Sequence, residues 1–313
     1  MEYLILKFGV GVGLLLIATH AFVKLAVRIS RGWRISPLII GTTLVAVGTS
    51  LPELVVSATA LMKGDAGLAW GNIVGSNIVN VLLVLPVGIL VGKLRVGTTK
   101  TQRNVGLMLA ATLIFVAVQM GWLPGVVSGL VLLGMAVWVS VEEYVWAVEG
   151  RKNEDLARLN HQKQTHLRTG DGWKLLVTLG GLVAGGVVIV EAIEGISVTT
   201  GWSTSLLGLS LTAVVTSLPE LLTTVFAQEE HQGKVTLGDI VGSNIYNLLL
   251  IGGVLTLFFG TKALLPKEII WLGLTVGIFG GLLHVYSGRQ VPRWVAGVLL
   301  ALMGVYFVTL GKW

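Results

Sequence analysis

Residues 41–60 read GTTLVAVGTSLPELVVSATA, and residues 208–227 read GLSLTAVVTSLPELLTTVFA. Further along, GNIVGSNIVN at 71–80 returns as GDIVGSNIYN at 238–247. Both pairs hold one offset of 167 residues, as from Thr49 to Thr216, with no gap between them. Two matches in one register mark an internal duplication, and a duplication decides the architecture before any single element does.

The solvent follows from composition. The 313 residues are 54% hydrophobic and 12% charged, with a mean hydropathy of +0.84. A soluble domain carries about twice that charged fraction. A membrane-spanning helix needs about 20 mostly apolar residues. Ten stretches supply them, at 4–23, 38–61, 68–91, 104–123, 124–146, 175–197, 204–226, 236–259, 268–287 and 292–311. No small-residue cleavage site follows the first, so it reads as a retained span and not as a signal peptide. Zero Cys excludes disulfides, thiolate metal sites and thiol redox chemistry. The formal charge of +6 invites a nucleic-acid reading, but the basic residues sit in short loops between apolar spans.

Those loops orient the chain, because Lys and Arg collect on the cytoplasmic side. With the N-terminus outside, seventeen of the 22 basic residues fall inside and five outside. The expected topology is therefore N-out and C-out in the cell membrane. Each copy of the repeat holds five spans, and an odd number makes the second copy enter the membrane upside down. The expected fold is all-α and polytopic: ten transmembrane helices as two inverted five-helix repeats. The first repeat occupies 1–147, a polar cytoplasmic linker 148–173, and the second repeat 174–313. Inverted repeats put the substrate site near the midplane, where broken helices of the two halves meet.

The repeated motifs supply such breaks. Pro52 and Pro219 lack an N–H, so the carbonyls of Gly48 and Val215 lose their helical donors. Irregular backbone at membrane depth is tolerated only inside protein or against a hydrated cavity. Glu53 and Glu220 follow one residue later, and a charge at mid-helix costs roughly 2.5–3.5 kcal/mol on insertion scales. An ion pair or protonation would be the structural explanations. Yet the second, third, seventh and eighth spans contain no Lys or Arg, and a cation from solution fits the surroundings better. Thr42, Ala46, Thr49, Glu53 and Ser57 form one small or polar face at helical spacing, mirrored by Ala213, Thr216, Glu220 and Thr224. Asn72, Ser76 and Asn80 recur as Asp239, Ser243 and Asn247, each set spaced i, i+4, i+8. Carboxylate, hydroxyl, amide and carbonyl oxygens are hard ligands that suit calcium, and sodium by the same logic. For any one Ser or Asn, helix–helix hydrogen bonding is an equally good reading.

Two inverted halves, each with a GTSLPE-like and a GSNxxN motif, resemble the calcium/cation antiporter superfamily on its prokaryotic sodium/calcium exchanger branch. The resemblance implies that Glu53, Glu220, Thr49 and Thr216 form a calcium site. It implies that Ala46, Ser50, Ser76, Ala213, Ser217 and Ser243 line flanking sodium sites, with Asn80 and Asn247 completing the central layer. Val215 stands where the family pattern has glycine, and Asn247 where some relatives carry an acid.

The expected function is secondary active exchange of sodium for calcium by alternating access. A proton/calcium exchanger of the same superfamily is the alternative, and a cation channel the alternative from another class. The TSLPE form argues for sodium, and the confinement of polar residues to mid-span argues against a continuous pore. No enzymatic motif, no cofactor and no obligate protein partner is evident; calcium, sodium and membrane lipid are the expected partners. His161 and His166 read as solvated linker, Glu191 and Glu194 as an outer hydrated face. Trp33, Trp122, Trp202, Trp271 and Trp294 read as interfacial anchors near span ends, and the 42 glycines as close-packing residues.

Overall fold

Where the repeated motif crosses its proline, each helix stops and restarts around one serine. Ser50 has φ −83° and ψ 2°, and Ser217 has φ −82° and ψ 5°. Their N–H groups still reach back to the carbonyls of Ala46 and Ala213, at 3.2 and 3.1 Å, so each interruption is a single residue wide. The computed structural model describes residues 1–32, 46–96, 99–149, 170–229 and 233–311. Trp33, Thr42, the start of the second span, both linker histidines and most of the linker lie outside the described residues.

In chain order, α1 is Glu2–Gly32, and α2 comprises Ala46–Thr49 and Leu51–Met62. Then come α3 (Ala66–Val91), α4 (Thr99–Gln119), α5 (Gly125–Glu149) and α6 (Asp171–Thr200). The chain continues with α7 (Thr204–Glu229, broken at Ser217) and α8 (Gly233–Tyr246, extended by Asn247–Ile251 and Gly252–Phe259). It ends with α9 (Pro266–Val285) and α10 (Arg293–Leu310). Among the described residues, eight helices are long and apolar enough to cross a membrane; Leu51–Met62 and Arg103–Gln119 are shorter apolar helices. The protein is an all-helical, multi-pass membrane protein.

Helices α3 and α8 are the centre. Their apolar spans are each 83% buried, against 22% for the span in α1 and 33% for α10. In a membrane the outer helices turn their apolar faces to lipid, so only central helices are buried all round. Helix α3 packs on the second piece of α2 and on the first part of α7, and α8 packs on the second part of α7 and on Ala46–Thr49 of α2. Helices α4, α5, α9 and α10 surround α3 and α8, while α1 and α6 run alongside each other against α2.

Glycine permits these approaches. A Cβ on Gly208 would lie 2.6 Å from the Leu68 carbonyl oxygen, and one on Gly75 would lie 2.7 Å from the Ala213 Cβ and 2.8 Å from the Leu209 carbonyl. Without a side chain, the α3 and α7 backbones touch at the level of the repeated motif. Trp122, Trp202 and Trp294 are exposed near helix ends, as expected of interfacial residues. Trp271 is not: it is buried, stacks edge-on against Tyr306 and donates to Thr309 Oγ1 at 3.1 Å. Its polar N–H is satisfied inside the protein, which removes the reason for seeking the headgroup region.

Candidate ion-binding site

The twelve residues singled out from the repeat are Ala46, Thr49, Ser50, Glu53, Ser76, Asn80, Ala213, Thr216, Ser217, Glu220, Ser243 and Asn247. All are buried. The two breaks bring the halves face to face. Ser217 donates its hydroxyl to Glu53 Oε1 at 3.5 Å, and Ser50 donates to Glu220 Oε1 at 3.3 Å. Each glutamate thus takes its donor from the opposite half of the chain. Restarting a helix at Leu51 and Leu218 places Glu53 and Glu220 in its first turn. There the free N–H groups and the helix dipole favour negative charge.

The remaining oxygens are arranged around that exchange. Thr49 donates to the Ala46 carbonyl at 3.1 Å, and Thr216 donates to Asn72 Oδ1 at 3.0 Å and to the Ala213 carbonyl at 3.4 Å. Ser76 donates to the Ile73 carbonyl at 3.0 Å and accepts from Asn247 Nδ2 at 3.2 Å. Asn80 donates to Asn244 Oδ1 at 3.0 Å, and Asn244 donates to the Asn77 carbonyl at 3.3 Å. Sequence reasoning passed over Asn77 and Asn244 as site residues, although the Asn of GSN repeats in both halves and was available as a signal.

Helices α3 and α8 both widen at the site. Asn80–Val84 and Asn247–Ile251 are π-helical, matching positions at the offset of 167. A π turn carries one residue more than an α turn, and such turns recur at functional sites. Here they begin at the two asparagines expected in the central layer.

Five polar atoms of these residues have no hydrogen-bond partner: Glu53 Oε2, Glu220 Oε2, Asn80 Oδ1, Asn247 Oδ1 and Ser243 Oγ. All five are oxygens able to accept, and two belong to carboxyl groups. Leaving such atoms unpaired in a protein interior costs about 1–3 kcal/mol each, more for a charged group. No cluster of three or more His, Cys, Asp or Glu is gathered among the described residues, and the carboxyl groups of Glu53 and Glu220 stand among neutral oxygens. Glu191 and Glu194 are differently placed. Glu191 pairs with Lys7 at 2.6 Å and with Lys63 at 3.7 Å, and Glu194 pairs with Lys63 at 3.3 Å.

A multi-pass helical protein with broken helices around a buried, oxygen-lined centre is of the secondary-transporter class. Comparison with known proteins narrows this. The sequence matches the sodium/calcium exchanger protein family over residues 3–141 and 172–312, and the chain belongs to that family. It is 31% identical over 301 residues to an uncharacterized membrane protein of Methanocaldococcus jannaschii, covering 94% of each chain. It is 29% identical over 356 residues to the sodium/calcium exchanger MaX1 of Methanosarcina acetivorans, covering 99% of this chain and 98% of the relative. The fold is similar to that of the sodium-calcium exchanger NCX_Mj soaked with 100 mM Na+ and 10 mM Sr2+. There the TM-score is 0.66 at 27% identity, over 100% of this chain and 99% of that one. The protein is a cation/calcium antiporter.

Proposed function

We propose that the chain exchanges sodium for calcium by alternating access at the buried site between α2, α3, α7 and α8. The observation that carries this reading is the set of five unpartnered oxygens around two buried glutamates. Calcium takes six to eight oxygen ligands, and sodium accepts the same donor types. In this reading Glu53, Glu220, Thr49 and Thr216 hold calcium. Ala46, Ser50, Ser76, Ala213, Ser217 and Ser243 flank it as sodium ligands, and Asn80 and Asn247 complete the layer. Without cations the two carboxylates hold like charge in a low dielectric, so the unloaded protein crosses rarely. Loading with either ion neutralises them and permits the switch, and that is the origin of coupling.

The architecture belongs to the same reading: ten spans, arranged as inverted halves at 1–147 and 174–313, with 148–173 as a cytoplasmic linker and both termini outside. Support comes from the matched breaks at Ser50 and Ser217, the matched π turns, and the two segments of the family match. Helices α1 and α6 pack along each other, and each leads into a broken core helix, which suits them to slide across the core.

Calcium uptake into vesicles bearing purified protein tests the coupling ion. An outward sodium gradient should drive uptake, and an outward proton gradient of equal size should not. Uptake driven by protons alone would assign the chain to the proton-coupled branch, and uptake without either gradient's help would favour a channel.

A further inference from the structure

The two halves match residue for residue through much of the repeated signature, and one buried mismatch exchanges a neutral side chain for an acid. Where the first half has Asn72 on α3, the second has Asp239 on α8. The Asn72 amide is fully used. Its Nδ2 donates to Ser57 Oγ at 3.0 Å and to the Glu53 carbonyl at 3.4 Å, and its Oδ1 accepts from Thr216 at 3.0 Å. One side chain thereby ties α2, α3 and α7 together. An ionised carboxylate cannot reproduce this, because it has no N–H to donate.

The second half shows the consequence. Asp239 is 2% exposed, and neither carboxyl oxygen has a hydrogen-bond partner. Thr224, the counterpart of Ser57, is fully buried, and its hydroxyl is unpartnered as well. The helices that carry them are tightly packed. A Cβ on Gly88 of α3 would lie 2.8 Å from the Thr224 methyl and 3.3 Å from the methyl of Thr236, one turn before Asp239. Glu220, an acid of the same sign, is near enough to act on Asp239. A buried acid beside another acid needs a positive partner, and among the described residues no ion pair reaches Asp239.

We infer that Asp239 and Thr224 form a further sodium subsite, present in the second half alone, where a bound monovalent cation replaces the amide donor of Asn72. This rests on the reading of sodium as the coupled ion. One carboxylate and one hydroxyl match a single charge, whereas calcium would leave a net positive charge in low dielectric and lacks the six to eight oxygens it takes. The subsite adds a third buried carboxylate, Asp239, to those of Glu53 and Glu220.

Sodium-dependent thermal unfolding of the purified protein tests this, with N-methylglucamine chloride holding ionic strength constant. Each sodium that binds only the folded protein stabilises it in proportion to the logarithm of its concentration, so the limiting slope counts the ions. Asp239→Asn should unfold no lower than the natural protein without sodium, since the amide can form the bonds Asn72 forms, and its slope should be smaller by one ion. Thr224→Val should keep the slope and raise half-saturating sodium several-fold. An unchanged slope in Asp239→Asn overturns the subsite, including the outcome in which only the pH dependence of stability changes because Asp239 carries a proton. Should Asp239→Asn fail to fold, Thr224→Val decides, and unchanged half-saturating sodium overturns the inference. If the natural protein itself gains no stability from sodium, the sodium-coupled reading falls, and the subsite with it.

Discussion

Ser50 donates a hydrogen bond to Glu220, and Ser217 returns one to Glu53, so each half of the chain completes the acidic centre of the other. A hydrogen bond to a charged group contributes about 1.5–3 kcal/mol, and each 1.4 kcal/mol is tenfold in affinity. Ser50→Ala and Ser217→Ala should each weaken calcium binding by roughly ten-fold. The double variant should lose more than either single one. Calcium titration of purified protein checks this; unchanged affinity in both single variants would mean that the serines only shape the break.

Gly75 is where α3 and α7 meet, with the Ala213 Cβ and the Leu209 backbone already within 3 Å of the place a Cβ would take. Backbone cannot step aside as the end of a side chain can. Gly75→Ala should destabilise the protein by about 1–3 kcal/mol, the usual cost of overpacking. Gly134→Ala, with open space around it, should be close to neutral. Melting temperatures in detergent compare the two, and equal values would contradict the packing described here.

In the proposed site, protons and metal ions compete for the same carboxylate oxygens of Glu53 and Glu220. Calcium uptake should therefore decline on mild acidification, through a rise in half-saturating calcium with little change in the maximal rate. Initial rates at low and saturating calcium across a pH series separate the two. A flat profile at low calcium would argue that neither carboxylate meets the ion.

If the inferred Asp239 subsite brings the sodium-binding carboxylates to three, three sodium ions exchange for one calcium of two charges, and each cycle should move one net positive charge. That charge is worth about 2.3 kcal/mol per 100 mV. When sodium-loaded vesicles take up calcium, the net charge moves outward. An interior-positive potential set with valinomycin should then speed uptake, and an interior-negative one should slow it. Complete insensitivity would point to two sodium ions per calcium.

Orientation can be read chemically, since the chain has no native Cys. Trp122→Cys, at an exposed position between α4 and α5, should react with an impermeant maleimide from outside intact cells. Gly170→Cys, just before α6, should react only after permeabilisation. The reverse pattern would invert the proposed topology.

Much of this was legible in the sequence because it was written twice. The offset of 167 linked Pro52–Glu53 to Pro219–Glu220, and the helices do break there. What a local pattern cannot carry is the partner across the interface. The crossing of Ser50 to Glu220 and the pairing of Asn80 with Asn244 depend on how α2 and α3 lie against α7 and α8. The π turns at Asn80–Val84 and Asn247–Ile251 have the same origin, for an α and a π turn differ by one residue and packing chooses between them. Trp271 misled because its distance from the helix end suggested an interface, and only the packed structure reveals Thr309 and Tyr306 beside it. The ion pairs of Glu191 with Lys7 and Lys63 join residues far apart in sequence, so an outer acidic face was all that could be foreseen.

In the proposed mechanism, Glu53 and Glu220 together neutralise the transported cation. Glu53→Gln and Glu220→Gln keep the shape of each side chain and remove half of the compensating charge. Sodium-driven calcium uptake by each variant, reconstituted into vesicles after gel filtration shows folded protein, is the most direct test. Uptake should fall to the level of protein-free vesicles in both. Near-normal uptake in both single variants would contradict the account.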